Sequence, residues 1–154
     1  MELVLWRHAD AEDGFIDLER RLTDKGRQQA RRMAAWLRPR LEGKWEILSS
    51  PAVRARQTAD ALELAYDVRP ALGTGAPEDA VLREAGWPAG ERNVLLVGHQ
   101  PTFGRLASRL LTGRRGDLAI RKGAAWWFST RIDEDGNPAQ ALLRAVIAPD
   151  FAKA

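Results

Sequence analysis

Two apolar runs in this chain end in the same way. Leu3–Trp6, in "LVLWRHADAE", leads into Arg7-His8, and Val94–Val97, in "NVLLVGHQPT", leads into Gly98-His99. Each run is short, β-rich and continuously apolar, the pattern of a strand buried on both faces. Such strands need helices above and below them. The expected fold is therefore a three-layer α/β/α sandwich around a mostly parallel sheet. The same two runs carry the only two histidines of the chain. Ligands of open α/β sheets bind beyond the carboxyl ends of the strands, so both imidazoles are predicted at one sheet edge.

The remaining sequence supplies the other elements. After strand Glu2–Trp6 and an irregular charged loop over Gly14–Arg21, Thr23 caps a helix from Asp24 to about Leu41. Its apolar positions Ala30, Met33, Ala34, Leu37 and Leu41 fall on one face. Lys44–Ser50 reads as a second strand. Ser50 then caps a helix that starts at Pro51 and runs to about Ala65. A weak third strand is expected over Asp67–Leu72 and a short helix over Glu78–Ala85. A helix over Thr102–Leu111 is ended by Gly113, and two late strands, "AAWWFSTRI" and "ALLRAVI", are joined across "DEDGNP". No repeat or linker interrupts the chain, so 1–154 is expected to be one domain.

Composition removes several chemistries. There is no cysteine, hence no thiolate nucleophile and no thiolate zinc site. "MELVLW" is not a signal peptide, and no apolar run spans a bilayer; a cytoplasmic location without membrane contact is expected. Net charge is +3 and the cations are mostly arginine. Nucleic-acid binding would call for a dense basic stripe with exposed aromatics, and none is expected here. The densest basic segment, Thr112–Gly123, carries Arg114, Arg115, Arg121 and Lys122. It is a candidate docking patch for an acidic or phosphorylated partner.

Arginine grips phosphate with a planar fork of donors. Arg7 and Arg54 suit that task, and the helix after Pro51 adds N–H groups and a positive dipole end. One imidazole can attack phosphorus, and the other can donate to the transition-state charge. No cofactor is required. A competing arrangement is a metal held by His8, Asp10 and Glu12, which share one face if the first strand continues.

"LWRHADAE", "RRLTDKGRQQA", "LSSPAVRARQTADAL" and "LLVGHQPT" occur in the order and spacing of the histidine phosphatase superfamily, which includes the phosphoglycerate mutases. The chain most resembles the bacterial phosphohistidine phosphatases of the SixA type. The resemblance implies a phosphoglycerate mutase-like fold and His8 as the nucleophile that becomes phosphorylated. It further implies Arg7 and Arg54 as phosphate ligands, His99 as the fourth member of the pocket, and Arg20 as a supporting arginine. Two departures stand out: Arg21 replaces the usual proline after Arg20, and Ala9 replaces the usual glycine after His8, which matters if that glycine uses its backbone freedom.

Larger members carry an acid on an inserted segment. Here only "GTGAPEDA" fills that region, so Glu78 and Asp79 are the available candidates for a proton donor. Alkoxides need such a proton to leave, whereas an imidazole with a pKa of about 6.5 leaves readily once its other nitrogen is protonated. The expected activity is metal-independent hydrolysis of phosphohistidine on a protein such as a histidine phosphotransfer domain. The alternatives are a small-molecule phosphomonoesterase and a non-catalytic phospho-binding module.

Overall fold

The computed structural model describes residues 1–152. Six strands form one sheet: β1 (Glu2–Arg7), β2 (Trp45–Ser49), β3 (Asp67–Val68), β4 (Asn93–Gly98), β5 (Ala125–Ser129) and β6 (Leu142–Ile147), in the order β3-β2-β4-β1-β5-β6. The β3, β2, β4 and β1 neighbours are parallel, while β5 runs antiparallel to both β1 and β6. The sheet is mixed, with its parallel part in the half that carries the histidines.

Alternation along the central strands divides the core. Val4 and Trp6 of β1, with Leu95 and Val97 of β4, pack on one face against α1 (Asp24–Leu37) and α2 (Val53–Asp60). Leu3 and Leu5, with Val94 and Leu96, pack on the other against α3 (Glu78–Ala85) and α4 (Thr102–Thr112). This is the expected three-layer arrangement. Trp6 is fully buried, and its indole N–H is satisfied by the Gly123 carbonyl at 2.9 Å. Burying side chains such as Trp6, Met33 and Phe103 stabilises the sandwich by about 1.5–3 kcal/mol each.

Several boundaries differ from the sequence reading. The first helix stops at Leu37 and tightens into a 3₁₀ turn over Arg38–Arg40, because Pro39 has no N–H for the Ala35 carbonyl. The second begins at Val53 after Ala52, not at Pro51, and ends at Asp60. Its expected cap, Ser50, instead accepts from the Ala52 N–H across a bend. The third strand is confined to Asp67–Val68, because Pro70 opens a 3₁₀ turn over Pro70–Leu72. Strand β5 ends at Ser129 rather than Ile132. No helix among the described residues is long and apolar enough to cross a membrane.

Candidate active site

Strand register assembles the site. Arg7 pairs with Gly98 and Ser49 with Val97, so β1, β4 and β2 end side by side. The next residues are His8, His99 and Ser50. Backbone bonds from His8 N to the Gly98 carbonyl (3.1 Å) and from Ser50 N to the Val97 carbonyl (2.9 Å) extend the ladder to them. The two imidazole centroids are 5.2 Å apart, and both histidines are buried.

The ring nitrogens have different tasks. His8 Nδ1 lies 2.8 Å from the Ala9 carbonyl, which only accepts, so Nδ1 carries the proton. Nε2 then keeps its lone pair and faces Arg54 Nε at 3.4 Å. His99 Nε2 is held by Ser50 Oγ at 2.7 Å, and its Nδ1 faces Arg54 Nη2 at 3.5 Å. Desolvation pulls both imidazoles down, to about 3 for His8 and about 4 for His99. The Ala9 hydrogen bond opposes this at His8, where His99, Arg54 and Arg7 add to it. At His99, Arg54 lowers and Asp17 raises. Both rings are neutral at pH 7.

Arg54 is only 3% exposed. A buried guanidinium needs partners. Besides the two imidazoles it meets Asp17, whose carbonyl accepts from Nη1 at 2.7 Å and whose carboxylate accepts from Nη2 at 3.1 Å. Asp17 opens a 3₁₀ turn over Asp17–Glu19 inside the loop after β1. Its other carboxylate oxygen binds Arg20 Nη1 at 3.1 Å, and Arg20 Nε donates to the Glu12 carbonyl at 2.7 Å. Arg20 thus joins the pocket through Asp17. Arg7 donates Nη1 to the Ile120 carbonyl at 2.7 Å, while its buried Nε has no partner among the described residues. Such a donor is costly unless an acceptor meets it.

Thr58 Oγ1 accepts from the Ala9 N–H at 3.1 Å and donates to the Arg54 carbonyl at 2.7 Å, which ties α2 to the residue after His8. Ala9 is fully buried beside Leu22 and Ala30. Among the described residues Glu63 is the non-glycine with positive φ, so Ala9 holds its place without left-handed backbone. Asp17, Ser50 and Thr58 were not singled out as site residues from sequence. For Ser50 and Thr58 the one available signal was their place in "LSSPAVRARQTADAL"; Asp17 lies outside all four quoted motifs.

Other candidates lie elsewhere. Asp79 pairs with Arg109 at 2.8 Å, and Glu78 lines a cleft with Arg105, Arg115 and Asp117. His8, Asp10 and Glu12 do not converge. Strand β1 ends at Arg7, Asp10 binds Thr23 and Lys122, and no metal-ligand group of three or more His, Asp or Glu occurs among the described residues. The basic segment divides between two clefts, Arg115 in one and Arg121 with Lys122 in the other.

Residues 3–87 match the model of the histidine phosphatase superfamily (branch 1). The chain is 33% identical over 147 residues to the phosphohistidine phosphatase SixA of Escherichia coli, covering 89% of each chain. It is 34% identical over 147 residues to an uncharacterized protein of Picosynechococcus sp., covering 81% of this chain and 87% of the relative. A solved structure of the protein histidine phosphatase SixA complexed with tungstate superposes with a TM-score of 0.76 at 25% identity. It covers 99% of this chain and 100% of that one. With two imidazoles and two arginines gathered at the ends of parallel strands, and with these likenesses, the chain belongs to the histidine phosphatase superfamily and is a phosphatase.

Proposed function

We propose that this phosphatase hydrolyses phosphohistidine on another protein, without a metal, through a phosphoryl group carried transiently on His8. The observation that carries this reading is His8 Nε2, unprotonated and set against the buried Arg54, while Asp79 is paired with Arg109 and Glu78 lines a cleft that contains neither histidine. Arg54 and Arg7 neutralise the phosphoryl oxygens, and the unpartnered Arg7 Nε gains its acceptor there. His99 stabilises the charge of the transition state. Tungstate, the ligand of the SixA relative, is a tetrahedral oxyanion of the kind such a pocket would hold. The Escherichia coli SixA relative is a phosphohistidine phosphatase, which supports the same substrate class.

The rim favours a macromolecule. Asp17 is flanked by Phe15, Ile16 and Leu18, all exposed, with Phe15 fully so. An apolar rim has no use for a sugar phosphate but suits a protein surface such as that around the histidine of a phosphotransfer domain.

The test is turnover in EDTA of a phosphorylated histidine phosphotransfer domain, an aryl phosphate and several sugar phosphates. The first two are expected to be hydrolysed, and the sugar phosphates to lag by about 10²–10⁴, the usual worth of a general acid. Efficient sugar-phosphate hydrolysis would assign a small-molecule esterase. Binding without turnover would assign a phospho-binding module, and activity restored only by Mg²⁺ would overturn the metal-free mechanism.

A further inference from the structure

The leaving side of phosphorus lies opposite the attacking His8. Arg54 marks where that side lies. One end of its guanidinium, Nε, faces His8 Nε2 at 3.4 Å. The other end, Nη1 and Nη2, meets the carbonyl and carboxylate of Asp17 at 2.7 and 3.1 Å. In-line displacement sets the attacking and leaving atoms on opposite sides of phosphorus. A phosphoryl group held along this guanidinium and attacked by His8 sends its leaving group toward Asp17. There the carboxylate is half exposed at the mouth.

Asp17 is poorly suited to give a proton. Its Oδ1 is bound by Arg20, and its Oδ2 by Arg54 and, at 3.4 Å, by the Thr74 hydroxyl. Partial desolvation pushes the carboxyl up, but the hydrogen bonds and charges of Arg20 and Arg54 outweigh it and hold the group below the ordinary carboxylate range. An ionised carboxylate on the leaving side accepts hydrogen bonds and favours a cation.

We propose that Asp17 is a specificity-determining residue that accepts a hydrogen bond from the second ring N–H of a substrate phosphohistidine and so holds the leaving imidazole in its protonated form. This rests on the phosphohistidine reading above. The substrate ring enters as a phosphoimidazolium, with its proton on the nitrogen that does not carry phosphorus. His8 Nε2 supplies an electron pair to phosphorus. The substrate P–N bond breaks, its pair stays on the departing nitrogen, and the ring leaves as neutral imidazole with its proton unmoved. His8 is now the phosphoimidazolium, its Nδ1–H held by the Ala9 carbonyl. Water then forms the new P–O bond, the P–Nε2 pair returns to His8, and both water protons leave on dihydrogen phosphate. The two rings exchange roles: Asp17 does for the substrate what the Ala9 carbonyl does for His8. An alcohol has no second nitrogen to offer and would depart as an anion toward a carboxylate.

The experiment compares wild type, Asp17→Asn and Asp17→Glu on a phosphohistidyl peptide and on p-nitrophenyl phosphate, each pair measured on one preparation. The ratio of the two kcat/KM values is the readout, so partial unfolding cancels. Asp17→Asn should lower the ratio of phosphohistidyl to aryl turnover on the order of 10–100-fold, the scale of one charge-assisted hydrogen bond, and Asp17→Glu should restore part of it. Asp17→Ser carries the same comparison if Asp17→Asn is unstable. An unchanged ratio, whether both activities persist or both fall together, assigns Asp17 to holding Arg54 and overturns the proposal. Wild-type protein that cleaves the aryl phosphate but not the peptide overturns the phosphohistidine reading itself, a different result from an unchanged ratio.

Discussion

In the proposed mechanism His8 acts through Nε2, the ring nitrogen that the Ala9 backbone carbonyl leaves free. Because the Ala9 carbonyl takes Nδ1–H, Nε2 needs no base to become nucleophilic. His8→Ala should therefore abolish turnover, while inorganic phosphate still binds through Arg7 and Arg54, as calorimetry would report. His99→Ala removes the donor proposed to stabilise the transition-state charge and should cost about 10²–10³ in kcat. Ser50→Ala should cost less than His99→Ala and chiefly in kcat, since it frees the orientation of the His99 ring without removing it; a change confined to KM would contradict that role. The two histidines, Arg7 and Arg54 were legible in the sequence because they terminate or follow strand-like runs, whereas Arg20 was reached only through the family resemblance. Ser50 was not, because a serine before proline already had a sufficient explanation as a helix cap. Asp17 was hidden because a 3₁₀ turn in a charged loop leaves no periodic trace, and its role exists only once the loop folds back onto α2.

The elements that hold these residues are joined at close quarters. Thr23 caps α1 as its sequence implied, accepting from the Gly26 N–H at 3.0 Å and donating to Asp10 Oδ2 at 2.7 Å. Gly26 packs so tightly on the strand-exit loop that an added Cβ would stand 1.9 Å from the Asp10 carbonyl oxygen. Gly26→Ala should destabilise the fold by about 1–3 kcal/mol and shift the segment after His8, so that a lowered melting temperature is accompanied by lost turnover. Thr58→Val keeps the shape of α2 but strands the buried Ala9 N–H, at a cost of about 1–3 kcal/mol in chemical denaturation. Long periodic elements such as α1 and α4 were legible in type. Their ends were set by tertiary and backbone terms: Pro39 truncated α1, and the bend through Pro51 delayed α2 so that Ser50 stayed at the sheet edge.

At the scale of the whole molecule, burial of both histidines links the pocket to stability. Each ring is neutral in the folded chain, with its pKa lowered to about 3 or about 4, and regains an ordinary value near 6.5 on unfolding. Unfolded chains thus bind more protons, and stability present above pH 6.5 is lost as pH falls toward the folded values. The slope is at most about 1.4 kcal/mol per pH unit for each ring. Between pH 6.5 and 5.5 no other side-chain type has an ordinary pKa, so denaturation in phosphate-free buffer should show this slope. A His8→Gln/His99→Gln double variant should flatten it, and an unchanged slope would show that other groups carry it. The mixed sheet was only half legible: alternation and burial reveal a covered strand, but the antiparallel turn of β5 onto β1 is a matter of chain direction that apolar runs do not encode.

Strand β4 lies between β1 and β2, although both precede it in the chain. During synthesis the first two long strands therefore have no lasting partner in each other. Each waits with an unsatisfied edge until residues 93–98 emerge and slot between them. A nascent chain halted before that point offers open, apolar strand edges to neighbouring ribosomes' products and to chaperones. Such a chain has His8 and Arg54 already made, yet not side by side. Enzymatic activity, followed in a coupled translation reaction, would thus appear as an abrupt late event and serve as a readout of completed assembly, with contacts of long sequence separation setting its pace.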